Sequence, residues 1–169
     1  MIVKHKTTNA TLRRWNSLGK ILYRLFWPGI WLVIHFSPPR TRVIIVHEDQ
    51  VLVLRDWLGS GSFSLPGGGL RRNEHPLDGA VREVKEEAGI VLLPSELQRI
   101  GLFKIKSGGI TTRYHLFWVR LSQLPHVKID HKEIAEARWV CVNDIDNFNL
   151  SNSAKKLLLT FSKQNNLLK

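Results

Sequence analysis

Glu83, Glu86 and Glu87 stand at i, i+3 and i+4 in a stretch that reads as a helix over residues 76–88. Side chains three and four apart on a helix are neighbours, so the three carboxylates gather on one face. Charges of one sign this close repel unless a cation sits among them. Hard carboxylate oxygens suit Mg²⁺ or Mn²⁺, with coordination positions left for water and phosphate. An ion held in this way polarises a phosphoryl oxygen and lowers the pKa of a bound water. Arg82, four residues before Glu86, reaches the same cluster. The run R-E-V-K-E-E also suits a solvated helix surface, where Glu and Lys simply favour helix. The helix alone leaves both readings open.

The elements around these residues narrow the choice. Pro76 fits a first helical turn, where its missing N–H is not needed, and Gly89 fits a left-handed cap just past the end. Leu77, Ala80, Val81, Val84 and Ala88 form an apolar stripe for the core. Reading back from Arg82 gives Gly68, five residues, Glu74, seven residues, then Arg82-Glu83-Val84-Lys85-Glu86-Glu87-Ala88-Gly89-Ile90. This resembles the Nudix box, G-x5-E-x7-R-E-U-x-E-E-x-G-U with U aliphatic, and every defined position over the 23 residues is matched. The lead-in Leu65-Pro66-Gly67-Gly68 is similar to the run that opens the box.

The resemblance implies an α+β fold, an α/β/α sandwich with a mixed sheet. It also implies a metal-dependent hydrolase of phosphoanhydride bonds in nucleoside diphosphate derivatives or nucleoside triphosphates, with Mg²⁺ or Mn²⁺ as cofactor and a small nucleotide as substrate. Carried over residue by residue, it makes Glu83, Glu86 and Glu87 metal ligands, with Glu83 also a candidate general base. Arg82 then orients the glutamates, Glu74 supports the loop and helix start, and Gly68 lets the backbone approach metal and phosphates closely. Further on, Lys132-Glu133-Ile134-Ala135-Glu136-Ala137-Arg138-Trp139-Val140 is similar to the family's glutamate ahead of an aromatic-containing strand, a ligand or base. Glu133 matches that position best and Glu136 second; a solvated charged loop is the alternative.

One segment departs from the family pattern. Leu70-Arg71-Arg72-Asn73-Glu74 carries two arginines where many members have acidic or neutral residues and a glycine. Arg71 and Arg72 are candidate phosphate contacts, since arginine makes paired hydrogen bonds to phosphate. Phe63 and Trp57, close to the glycine run, are candidate base-stacking residues.

The remaining elements read as strands and one more helix. Residues 42–46 and 50–54 suggest a hairpin turning at Glu48-Asp49, and 97–106 and 111–121 a second around Ser107-Gly108-Gly109. Residues 137–142 read as a short strand, and 151–165 as a helix burying Leu157, Leu158 and Phe161. The domain is expected over residues 41–169, behind an extension over 1–40.

At 169 residues the chain is long enough for one ordinary domain and an extension. The single Cys141, expected as a small core residue, excludes an intrachain disulfide and any cysteine-based zinc cage, and favours an intracellular, cytoplasmic compartment. A P-loop, a G-x-S-x-G elbow and an H-E-x-x-H pair are all missing.

The net charge of +11 is concentrated in the extension, where eight Lys and Arg precede Val43 with no Asp or Glu. Leu12, Trp15, Leu18, Leu22, Leu25 and Phe26 fall on one side of a helix, Arg13, Lys20 and Arg24 on the other. Such a helix either packs on the enzyme core or a second subunit, or lies on an anionic membrane surface through residues 12–36. Its apolar run is too short and too interrupted for a span, which needs about 20 residues. Its Arg-rich, acid-free character also matches organelle-targeting segments. Two other functions stay open: an RNA-end pyrophosphohydrolase using the basic arm, and a binding protein of this fold without catalysis.

Overall fold

The computed structural model describes residues 38–57, 61–107 and 109–165. The expected amphipathic helix of the arm, with its membrane-surface reading, lies outside the described residues. Among the described residues no helix is long and apolar enough to cross a membrane.

Strands β1 (Arg40–His47) and β2 (Gln50–Asp56) run antiparallel, turning at Glu48, which takes a positive φ of 51°. Helix α1 (Pro76–Ala88) follows, then the long hairpin β3 (Gln98–Ser107) and β4 (Ile110–Leu121). Strand β5 (Ile134–Cys141) and helix α2 (Asn152–Asn165) complete the fold. The five strands are ordered β3-β4-β1-β2-β5, with β1 parallel to β4 and the other neighbours antiparallel. This is the mixed sheet that was expected.

Residues 41–46 of β1 are all buried, because the strand lies mid-sheet with a layer on each face. Period-two alternation sends its side chains to different cores. Val43 and Ile45 join Leu52, Leu54, Phe117 and Val119 beneath Ala80, Val84 and Ala88 of α1. Ile44 and Val46 join Val51, Val53 and Leu116 against Leu157, Leu158 and Phe161 of α2. Each fully buried aliphatic side chain contributes about 1.5–3 kcal/mol, so the two layers hold the sheet from both sides.

β1 and β2 pair only near their turn, at Val46↔Val51 and His47↔Gln50. Beyond that they diverge, and the glycine loop fills the gap. Thr41 N donates to Gly68 O and Val43 N to Pro66 O, each at 2.9 Å, while Leu54 and Ser64 exchange backbone hydrogen bonds at 2.9 and 2.7 Å. Gly67 sits at φ 126°, and a Cβ there would stand 2.4 Å from Thr41 O. No other residue type fits.

Local signals set the ends of both helices. His75 caps α1, Pro76 opens it, and Gly89 at φ 68° closes it with its N–H on Lys85 O at 3.0 Å. Ser151 Oγ accepts from Ala154 N at 3.3 Å at the start of α2. β5 begins earlier than expected because Ile134 pairs with Asp56 past a bulge at Arg55/Asp56. Cys141 ends that strand half-buried, not in the core, with its Sγ 3.4 Å from Asp49 Oδ2.

A Cβ on Gly89 would lie 2.8 Å from Lys128 O, in a backbone conformation that side chains resist. Gly89→Ala is therefore expected to lower stability by about 1–3 kcal/mol, read as a drop in the urea midpoint at unchanged m.

Candidate active site

Helix α1 presents Arg82 at its centre, and that guanidinium holds the local arrangement together. Its Nε and Nη2 donate to the two oxygens of Glu74 at 2.6 and 2.8 Å, a bidentate pair. Nη1 reaches Glu83 Oε1 and Glu86 Oε2, both at 2.8 Å, and Nη2 also meets Gly69 O at 3.2 Å. The carboxyl of Glu74 takes a further bond from Arg71 N at 2.8 Å. Hydrogen bonding from Arg82 holds that carboxyl at about 2 against an ordinary 4.5.

Two of the three helix glutamates face a common cleft. The carboxylate of Glu83 lies against Gly68, where a Cβ would be 2.5 Å from Oε2. Glu87 Oε2 accepts the Gly67 N–H at 2.7 Å. Loss of water around Glu87 pushes its carboxyl up to about 7, with the Arg42 charge and the Gly67 N–H pulling the other way. Glu86 is placed differently. Its side chain is 49% exposed and is held by Arg82 and by Arg71 Nη2 at 3.0 Å, outside the cleft.

The cleft has a volume of about 400 Å³ and takes in Gly67, Gly68, Gly69, Glu83, Glu87, Glu133, Asp56, Trp57, Arg40, Arg42 and Lys132. Glu133 belongs to a turn tied at both ends. Trp57 N donates to Glu133 O at 3.0 Å and Trp57 Nε1 to His131 O at 3.1 Å. Lys128 N donates to Ala88 O at 2.9 Å, joining the same segment to the end of α1. Glu136 goes elsewhere: it pairs with Arg55 at 2.6 Å and with Arg138, and does not line the cleft.

Phe63, expected as a base-stacking residue, is instead 6% exposed in the core on the α2 side, with its centroid 5.0 Å from that of Phe148. A ring already packed on both sides has no face for a base. Trp57 is 62% exposed at the cleft. Arg71 is engaged with Glu86, Arg72 is exposed, and neither lines the cleft. Arg40, Arg42, Asp56 and Lys132 also line the cleft, and no motif in the sequence marks them: Arg40 and Arg42 read as part of the basic arm.

The NUDIX domain family model matches residues 37–161. The chain belongs to the Nudix hydrolase family. Among its relatives, Bacillus subtilis YvcI, named an uncharacterized Nudix hydrolase, is 29% identical over 108 residues, covering 63% of this chain and 68% of the relative. An RNA pyrophosphohydrolase of Thioalkalivibrio sulfidiphilus is 35% identical over 63 residues, only 37% of this chain and 35% of that protein. Two solved structures share the Nudix fold. The MutT protein of Methanosarcina mazei Go1 superposes with a TM-score of 0.64 at 24% identity, covering 76% of this chain and 97% of that one. The NUDIX domain of Shewanella oneidensis NrtR, complexed with ADP ribose, gives 0.66 at 14% identity, covering 75% and 87%. Nudix enzymes generally use divalent cations such as Mg²⁺.

The depressed Glu74 carboxyl predicts an acid limb in stability. Its contribution is complete above the ordinary 4.5 and is lost as pH falls towards about 2. Denaturant midpoints measured from pH 6 down to pH 2.5 should fall less steeply for Glu74→Gln than for the parent protein.

Proposed function

We propose that this Nudix enzyme hydrolyses the phosphoanhydride bond of nucleoside diphosphate derivatives, with a divalent cation held by Glu83 and Glu87. The observation that carries the reading is the cleft itself, in which those carboxylates, the Gly67–Gly69 backbone and Glu133 meet the cations Arg40, Arg42 and Lys132. Acidic and basic side chains lining one cleft suit a ligand that brings phosphate oxygens together with a metal ion.

The donors present fit such an ion. Glu83 and Glu87 offer hard oxygens, and Gly68 keeps the space beside Glu83 free of any side chain. A divalent cation would add to the charge of Arg42 in offsetting the burial that pushes the Glu87 carboxyl up. Among the described residues no group of three His, Cys, Asp or Glu is close enough to cage an ion alone. Two carboxylates alone would leave most positions of a Mg²⁺ ion to phosphate and water. Glu86 supports the ion indirectly, by holding Arg82 and through it Glu83.

When bound, the cation supplies charge stabilisation for the phosphoryl oxygens and the transition state. The chain's own residues do the rest. Glu133 takes the proton of the attacking water, and its turn is fixed for this by the two Trp57 hydrogen bonds. Arg40 and Lys132 hold phosphate oxygens at the mouth of the cleft. The products are a nucleoside monophosphate and a second phosphorylated fragment, or pyrophosphate from a triphosphate.

The test is product release from nucleoside di- and triphosphates, nucleotide sugars, dinucleotides and 5′-triphosphorylated RNA, with Mg²⁺ or Mn²⁺. Glu83→Gln should abolish measurable turnover, and Glu133→Gln should lower kcat by about 10²–10⁴-fold with little change in KM. Turnover that survives both substitutions, or that persists with excess chelator, would overturn the assignment. RNA as the preferred substrate would show as a steep loss of activity with salt that small nucleotides do not share.

A further inference from the structure

A guanidinium taken out of water needs an anion or a full set of acceptors, since an unpaired buried charge is strongly unfavourable. Arg42 has neither. It is 8% exposed, its Nε donates to nothing, and it forms no ion pair with any carboxylate among the described residues. Its Cζ lies 5.9 Å from the centroid of the Tyr114 ring, a contact that orients the group without accepting its N–H bonds. Burial lowers its pKa, with Glu87 the strongest influence in the opposite direction.

The place of Arg42 says what completes it. It lines the cleft with Gly67–Gly69, Glu83 and Glu87, and its backbone is in mid-sheet, paired with Leu116 of β4. Arg40 and Lys132, also in the cleft, are exposed and free to follow a ligand. Arg42 cannot move in this way. A fixed buried cation beside a carboxylate pair suits a ligand that carries two negative centres a short distance apart, one for each side.

We propose that Arg42 anchors a non-bridging oxygen of the substrate's diphosphate, so that the ligand completes the buried guanidinium. The proposal rests on reading this cleft as the hydrolase site and adds the residue that holds the phosphate away from the metal side. A monophosphate reaching the metal side leaves Arg42 unpaired. A diphosphate can meet the metal ion and Arg42 together. Arginine is the fitting residue, because its planar fork binds phosphate through two N–H groups where lysine offers a point charge.

The experiment uses the full chain with Mg²⁺ and measures binding of methylenediphosphonate and, separately, orthophosphate, by calorimetry. The parent should bind the diphosphonate more tightly than orthophosphate. Arg42→Met should weaken the diphosphonate on the order of 10- to 100-fold and leave orthophosphate nearly unchanged, as expected for loss of a charged hydrogen bond. The unliganded Arg42→Met protein should have an unchanged or higher Tm, because an uncompensated charge has been removed from the interior. Undiminished diphosphonate binding by a folded Arg42→Met overturns the anchor. So does a fall in Tm that Glu87→Gln restores, which would make Arg42 the counter-charge of Glu87. Should Arg42→Met fail to fold, Arg42→Lys carries the same comparison: weaker diphosphonate binding supports the anchor, and parent-like binding overturns it. Failure of the hydrolase reading is separable, because it shows as no turnover by a parent protein whose diphosphonate binding still depends on Arg42.

Discussion

Everything in the site depends on the satisfaction of one guanidinium. Arg82 is 17% exposed and spends its N–H groups on Glu74, Glu83, Glu86 and the carbonyl of Gly69. These partners come from the glycine loop, the turn that follows it and the helix itself. A planar five-donor group with fixed directions sets their mutual geometry in a way a flexible ammonium would not. It also offsets part of the repulsion among the three carboxylates it holds. Glu83 is then free to press against Gly68, and Glu86 is drawn outward to share charge with Arg71.

The second constraint is the gap between β1 and β2. Two strands that part after two residue pairs leave backbone donors and acceptors in the middle of a sheet, where they must find partners. Residues 64–68 supply them, and so the glycine loop becomes part of the sheet and not a surface excursion. This fixes the height of Gly67 and Gly68 under α1. The hydrogen bond from Gly67 N to Glu87 follows from that placement. The packing of Ala80, Val84 and Ala88 on Val43 and Ile45 then sets how closely the helix approaches.

The far wall of the cleft is joined to the near one. The segment carrying Lys132 and Glu133 leaves the end of α1 through Lys128 N to Ala88 O and Asp130 N to Glu87 O, and is received by Trp57 at the end of β2. Glu87 and Glu133 are thus linked through backbone hydrogen bonds, and displacement of one wall is transmitted to the other. The bulge at Arg55/Asp56 matters here as well, since it lets Asp56 and Trp57 turn into the cleft while Arg55 stays with Glu136.

What could be read from the chain itself was whatever depends on neighbours in sequence. Helix α1 was legible because Pro76, Gly89 and the spacing of Ala80, Val84 and Ala88 act over one or two turns. The hairpins were legible for the same reason, and the 23-residue motif brought Glu74, Arg82 and the glutamates together as a group. Strand register and layer assignment were not legible, since they come from contacts tens of residues apart. Glu133 and Glu136 are three apart and of one residue type, yet only the β2–β5 pairing sends one to the cleft and the other to Arg55. Phe63 looked available beside the glycine run until α2 and Phe148 closed over it. Arg42 read as one more charge of a basic arm, and only the folded sheet shows it buried at the cleft with its Nε unpartnered. Sequence spacing determines which groups a helix carries; the low dielectric and fixed distances of a packed interior decide which of them are left wanting a ligand.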